Sequence, residues 1–167
     1  FAPNSWNDLF NYLSKVEKFP IDLILASGLA ISKDNSDKIY DRFRNRLIVP
    51  IHDMQGRVVA FGGRSLDGQE PKYLNSPESE IFEKGKMLFA FEKASSNIRK
   101  RDEAIIVEGY FDVISLHSKG ITNSVASLGT ALNKYQISQL CRCTDNKNII
   151  LNFDSDNAGI LATKRVI

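Results

Sequence analysis

At 167 residues, 43% of them hydrophobic and with a formal net charge of +2, the chain has room for one domain or two small ones built on an ordinary globular core. It holds no apolar run of about eighteen residues, and its opening "FAPNSWNDLF" has neither a basic start nor an apolar signal core, so no membrane span or secretory leader is expected. Its only cysteines, Cys141 and Cys143, lack a second pair, which excludes a disulfide framework and a zinc knuckle and leaves two reduced thiols.

His52 and His117 lie far apart with no companion ligands, and both read as surface or packing residues. The small net charge hides an uneven distribution. Between Arg42 and Arg64 five arginines (Arg42, Arg44, Arg46, Arg57 and Arg64) face a single acid, Asp53, a local excess suited to a polyanion.

Taken in chain order, Leu9, Tyr12, Leu13 and Val16, then Ile21, Ile24 and Leu25, have helical spacing, with Pro20 separating two short helices in a segment that ends near Ser32. "RLIVPIHDMQGRVVAFGGRSL" predicts two strands joined by a tight turn at Asp53 to Gly56, with Pro50 favouring an edge position. "QEPKYLNSPESEIFEKGKMLFAFEKA" carries turn chemistry at Gly68, Pro71, Asn75 and Pro77 and no sustained period before about Leu88; it is expected to be an exposed, basic connection.

After "SSNIRKRDE" the pattern changes. "AIIVEG" is a short apolar strand, "YFDVISLHSKG" a helix closed by Gly120, "NSVASLG" a second strand, "ALNKYQISQLCRC" a second helix and "NIILNFD" a third strand. Strand, helix, strand, helix, strand predicts a parallel sheet, whose strands are covered on both faces and therefore read as continuous apolar runs. The fold expected is α/β, a parallel sheet flanked by helices over residues 101–167, preceded by a smaller mixed helix and hairpin subdomain over residues 1–100.

In open parallel sheets, ligands gather beyond the carboxyl ends of the strands. Glu108, Gly129 and Asp154 stand at those ends of three successive strands. Asp154 and Asp156 are two residues apart and leave an extended segment on the same side. Three carboxylates around one small volume call for a hard divalent cation, Mg2+ or Mn2+. Asp112 falls in the first turn of the helix, where it serves the helix dipole or joins the metal site. One of Asp154 and Asp156 is also a candidate helix cap.

"VEGYFDVISL", "ASLGTAL" and "NFDSDNAG" resemble, in that order, the glutamate and D-x-D motifs of the Toprim domain shared by topoisomerases and bacterial primases. Upstream, "FGGR", "KYLNSPE" and "FEKG", within "YDRFRNRLIVPIHDMQGRVVAFGGRSL" and "PKYLNSPESEIFEKGKMLFAF", are similar to the core of the bacterial DnaG-type DNA primase. The opening "FAPNSWNDLFNYL" is similar to that core too, so the resemblance covers essentially the whole chain.

The resemblance implies DNA-templated synthesis of short RNA primers by metal-dependent nucleotidyl transfer. It places Glu108, Asp112, Asp154 and Asp156 at a Mg2+ or Mn2+ site, with Glu108, Asp154 and Asp156 catalytic and Glu108 acting either as ligand or as acid or base. It places Arg64, Lys72, Tyr73, Asn75 and Lys84 on the surface for template and nucleotide, where cations neutralise phosphate and Tyr73 stacks on a base; a solvated basic face is the alternative.

The implied partners are a single-stranded DNA template and ribonucleoside triphosphates. A replicative helicase and a single-strand-binding protein would dock through parts of a parent protein that are absent here, and no membrane is involved. The implied location is the bacterial cytoplasm, with a plastid as the alternative for the parent.

A complete primase of this type also carries a zinc-binding domain, a helicase-binding domain and a later acidic motif, none of which is in the chain. It is therefore read as a core fragment not expected to make primers unaided. The competing readings are a non-catalytic fragment that binds single-stranded DNA or nucleotide, and another Toprim enzyme such as a topoisomerase or nuclease.

Overall fold

The computed structural model describes residues 1–32, 38–129 and 131–153. Asp154 and Asp156 lie outside the described residues. By contact the chain forms two compact units, the first made of Phe1–Pro50 and Ala60–Phe82, the second of Ile51–Val59 and the chain from Glu83 onward. Residues 83–100, expected from sequence to close the first subdomain, are grouped with the second unit.

In the first unit, α1 (Asp8–Asn11) runs into a π-helical turn at Tyr12–Val16, and α2 (Ile21–Ala26) starts directly after Pro20. Proline at that position is preset for helix entry. Two strands unforeseen in the sequence follow, β1 (Ala30–Ser32) and β2 (Ile39–Asp41), paired antiparallel with Ile31 opposite Tyr40. Asp41 is only 2% exposed, and its two carboxylate oxygens accept the Leu9 and Phe10 amides at 2.9 and 2.8 Å. It thus caps α1 from more than thirty residues away.

The expected hairpin forms from β3 (Arg46–His52) and β4 (Val58–Ser65), and β3 lies at the sheet edge as Pro50 requires. Asp53 organises the turn by accepting the Gln55 and Arg57 amides, each at 2.9 Å. The third strand, β5 (Tyr73–Asn75), pairs antiparallel with β4, setting Arg64 opposite Tyr73 and Gly62 opposite Asn75. Gly63 admits no side chain, because a Cβ there would stand 2.8 Å from Phe43 Cδ1.

The segment 69–94 is not the exposed connection that its turn residues suggested. It contributes β5, buries Ser76, Phe82, Leu88 and Phe89, and forms a 3-10 turn at Lys84–Lys86. Phe82 and the run from Leu88 to Phe91 take core positions, while Tyr73 and Ile81 stay exposed.

In the second unit, α3 (Phe91–Arg101) buries Phe91, Ala94, Ser95 and Ile98, one face at helical spacing. The parallel sheet that the alternating pattern predicts forms, with the strand order β7 (Ser124–Ala126), β6 (Ala104–Val107), β8 (Ile149–Asn152). Helix α4 (Tyr110–Ser118) joins β6 to β7 and α5 (Lys134–Cys141) joins β7 to β8. The core gathers Leu88, Phe91, Ile98, Ile106, Val125 and Leu140, with Cys143 among them.

Both cysteines are free thiols. His117 Nε2 stands 3.0 Å from the Ser124 carbonyl and His52 Nδ1 3.6 Å from Glu92 Oε1, so both histidines are engaged locally. No helix among the described residues is long and apolar enough to cross a membrane.

Candidate active site

Strand register decides which side chains share the sheet edge. Val107 of β6 pairs with Ala126 of β7 and Asn152 of β8, so the residues that follow, Glu108 and Phe153, emerge at the same carboxyl edge. There Val107, Glu108, Asp112, Ser115, Leu116, Asn152 and Phe153 line a cleft of about 230 Å3. Glu108 and Asp112 are both exposed and share this cleft, which the sequence left open for Asp112.

Asp112 has a second duty. Its Oδ2 accepts the Gly109 backbone N–H at 3.1 Å, tying the third residue of α4 back to the helix start. Like charges on one small cleft repel unless a cation offsets them, and hard carboxylate oxygens suit a divalent one. Of the described residues in the cleft, Glu108 and the Asp112 oxygen not bonded to Gly109 are the ones that could hold a divalent cation. Among the described residues no group of three or more His, Cys, Asp or Glu stands close enough to hold an ion.

Asn152 and Ser115, which sequence reasoning did not single out, line the same cleft. Asn152 could have been found from the register alone, since it ends the strand that runs into "DSD". Gly129 takes a positive φ of 73°, accessible to glycine at no steric cost, and is not among the residues that line the cleft.

The basic positions fall into two groups. Arg64 on β4, Tyr73 and Asn75 on β5, and Lys72 just before β5 come together in the first unit, whereas Lys84 opens the 3-10 turn of the second. Arg64 lies 5.9 Å and the Lys72 ammonium 5.6 Å from the Tyr73 ring centroid, so two cations stand close to one aromatic ring.

The arginine excess between residues 42 and 64 is largely taken up by contacts within the chain, on the surface for Arg57 and in more buried positions for Arg42 and Arg46. Arg42 donates through Nε and Nη2 to the Asn75 carbonyl at 3.1 and 2.9 Å, and burial pushes its pKa down. Arg46 is 7% exposed and reaches the Gly63 and Lys72 carbonyls at 3.4 and 3.5 Å. Arg44 stacks 4.5 Å from the Trp6 ring and donates to the Asp41 carbonyl, and Arg57 pairs with Asp53 at 2.7 Å. Charge counted along the sequence thus overstated the polyanion surface. Hydrogen bonds from Arg57 and Gln55 outweigh desolvation at Asp53 and hold its carboxyl below the usual range.

The family model described as DNA primase catalytic core, N-terminal domain, matches residues 1–95, and a Toprim-like model matches residues 105–167. The chain is 54% identical over its full length to a DNA primase of Synechococcus elongatus, of which it covers 24%, and 48% identical to one of Halalkalibacterium halodurans, of which it covers 27%. It thus spans about a quarter of the length of the curated relatives it matches. A crystal structure of a DNA primase domain from Pseudomonas aeruginosa superposes with a TM-score of 0.89 at 42% identity, covering 99% of this chain and 50% of that one. The DnaG primase catalytic domain bound to single-stranded DNA gives 0.85 at 39% identity, over 99% and 50% of the two chains. The two family models, in the chain order expected from the motifs, and the full-length identity lead to one conclusion: the chain belongs to the bacterial DnaG-type DNA primase family.

Proposed function

We propose that this chain is the segment of a replicative DNA primase that carries the nucleotidyl-transfer site, and that the whole protein makes short RNA primers on a single-stranded DNA template. The observation that carries the reading is the shared cleft of Glu108 and Asp112 at the carboxyl edge of β6, beside the strand whose continuation holds Asp154 and Asp156.

In this reading Glu108, Asp112, Asp154 and Asp156 hold Mg2+ or Mn2+, with Glu108, Asp154 and Asp156 catalytic. When bound, such a cation lowers the charge on the attacking and leaving oxygens of a phosphoryl transfer. The reaction joins a ribose 3'-hydroxyl to the α-phosphate of an incoming ribonucleoside triphosphate and releases pyrophosphate.

Arg64, Lys72, Tyr73, Asn75 and Lys84 would contact template or nucleotide. The two cations around Tyr73 support this, because they combine phosphate neutralisation with a stacking face. A relative of this chain is described as bound to single-stranded DNA, which supports the same partner here. A helicase and a single-strand-binding protein would engage other parts of the whole protein, in the bacterial cytoplasm. The match of residues 1–95 to a primase core weighs against a topoisomerase or nuclease. The domain division proposed is residues 1–100 for the basic N-terminal subdomain and 101–167 for the Toprim subdomain.

The test is a chimera in which this chain replaces the matching segment of the Synechococcus elongatus primase, 54% identical to it. The chimera should make primers with Mg2+ and lose that activity on Glu108→Gln. An inert chimera beside an active parent, or an active Glu108→Gln chimera, would overturn the reading.

A further inference from the structure

Helix α5 opens with two amide side chains where the helix itself needs only oxygens. Asn133 Oδ1 accepts the Tyr135 and Gln136 amides at 3.0 and 3.1 Å, and Gln136 Oε1 accepts the Asn133 amide at 3.1 Å, closing a capping box. Ser, Thr or Asp would cap the first position as well, and Glu would close the box at the second. The nitrogen ends of both side chains are surplus to the cap.

Those nitrogens reach 48 to 52 residues back along the chain. Asn133 Nδ2 donates to the Gly85 carbonyl at 2.8 Å, and Gln136 Nε2 donates to the Lys84 and Met87 carbonyls at 3.2 and 2.8 Å. Gln136 is fully buried, and each of its polar atoms is satisfied in this arrangement. A carboxylate in its place would face two carbonyl oxygens, a like-with-like contact that burial makes costly.

The clamped segment is the 3-10 turn Lys84–Lys86, in which the Lys86 N–H donates to the Glu83 carbonyl at 2.9 Å and the Met87 N–H to the Lys84 carbonyl at a longer 3.3 Å. A single turn of this kind has little stability by itself. Lys86 is paired with Glu83 at 2.8 Å, and Lys84 is the cation of the turn that the proposed function assigns to nucleic acid. The turn is also pinned at its far end, where Phe89 and Ala126 exchange backbone hydrogen bonds.

We infer that Asn133 and Gln136 are positioning residues for Lys84: their side-chain amides lock the backbone of the Lys84–Met87 turn, so that the Lys84 side chain reaches a phosphate of single-stranded DNA or nucleotide from a backbone already fixed in place. This rests on the reading of Lys84 as a nucleic-acid contact given above. A preorganised cation loses less freedom on binding than a mobile one, so the clamp raises affinity without touching the ligand.

The test separates cap from clamp. Asn133→Ser keeps a capping oxygen but is too short to donate to Gly85, so the melting temperature of the protein should fall by no more than the few degrees expected for one lost hydrogen bond. Its affinity for a fluorescein-labelled single-stranded oligonucleotide should fall about fivefold. In a Lys84→Ala background the same substitution should change affinity less than twofold, because Asn133 acts through Lys84. Asn133→Thr serves identically if the serine variant folds poorly. Undiminished binding by Asn133→Ser, or an equal loss with and without Lys84, would overturn the inference while Lys84→Ala alone still weakened binding. If Lys84→Ala left binding unchanged, Lys84 would leave the nucleic-acid surface and the inference would fall with it.

Discussion

Asp112 Oδ2 accepts the Gly109 backbone N–H at 3.1 Å, so one oxygen of a cleft-lining carboxylate is committed to starting α4. Two functions meet in one side chain and can be separated by substitution. Asp112→Asn keeps an oxygen for Gly109 but removes the charge; it should leave the melting temperature close to the parent and lower Mn2+ affinity, read by electron paramagnetic resonance. Asp112→Ala should lose both, at a cost of about 1 kcal/mol in stability. Unchanged Mn2+ affinity in both variants would assign Asp112 to the helix alone.

Lys72 and Arg42 should behave oppositely despite their like charge. Lys72→Ala should weaken binding of single-stranded DNA and make the slope of log affinity against log salt shallower by about 0.7, the release expected for one phosphate contact. Arg42 is spent on the Asn75 carbonyl, so Arg42→Ala should cost about 2 kcal/mol in urea unfolding and leave the salt slope as it was. An unaltered slope for Lys72→Ala would remove Lys72 from the phosphate-contacting set.

Asp102, at the end of α3, accepts from the Asn146 side chain and from the Asn146 and Asp145 amides, the latter at 2.6 Å, and these bonds hold its carboxyl below the usual range. A depressed folded-state pKa contributes stability that is complete above the unfolded value of about 3.9 and is lost as pH falls through the folded value. The stability gap between the parent and Asp102→Asn should therefore be constant above about pH 5 and narrow below about pH 4. A gap that stays constant down to pH 2 would contradict the assignment of these bonds to the ionised carboxylate.

Why some of this was legible in the sequence follows from how each signal is encoded. Ala104 to Val107 and Ile149 to Asn152 form parallel strands and read as continuous apolar runs because both sheet faces are covered, and Glu108 stood out as the charge that ends one. β1, β2 and β5 have three residues each, too few for any period to show. Burial was illegible for the arginines: Arg42 and Arg46 look as cationic as Lys72 in one dimension, and only the fold reveals which carbonyls they reach. The Asn133 to Gln136 capping box has a readable spacing, but its second set of partners lies some fifty residues away.

Asp154→Asn should weaken divalent binding with little effect on folding, because losing one of several clustered like charges relieves repulsion when the ion is absent. Isothermal titration with Mn2+ checks this, and an unchanged dissociation constant would take Asp154 out of the ligand set.

The central claim, that the carboxyl edge of the parallel sheet is a divalent-cation site, is tested most directly by crystals grown in millimolar Mn2+ and measured at the manganese absorption edge. The account predicts an anomalous peak bounded by Glu108, Asp154 and Asp156 and next to Asp112. Manganese bound elsewhere on the chain with none at that edge, in crystals where all four carboxylates are ordered, would contradict it.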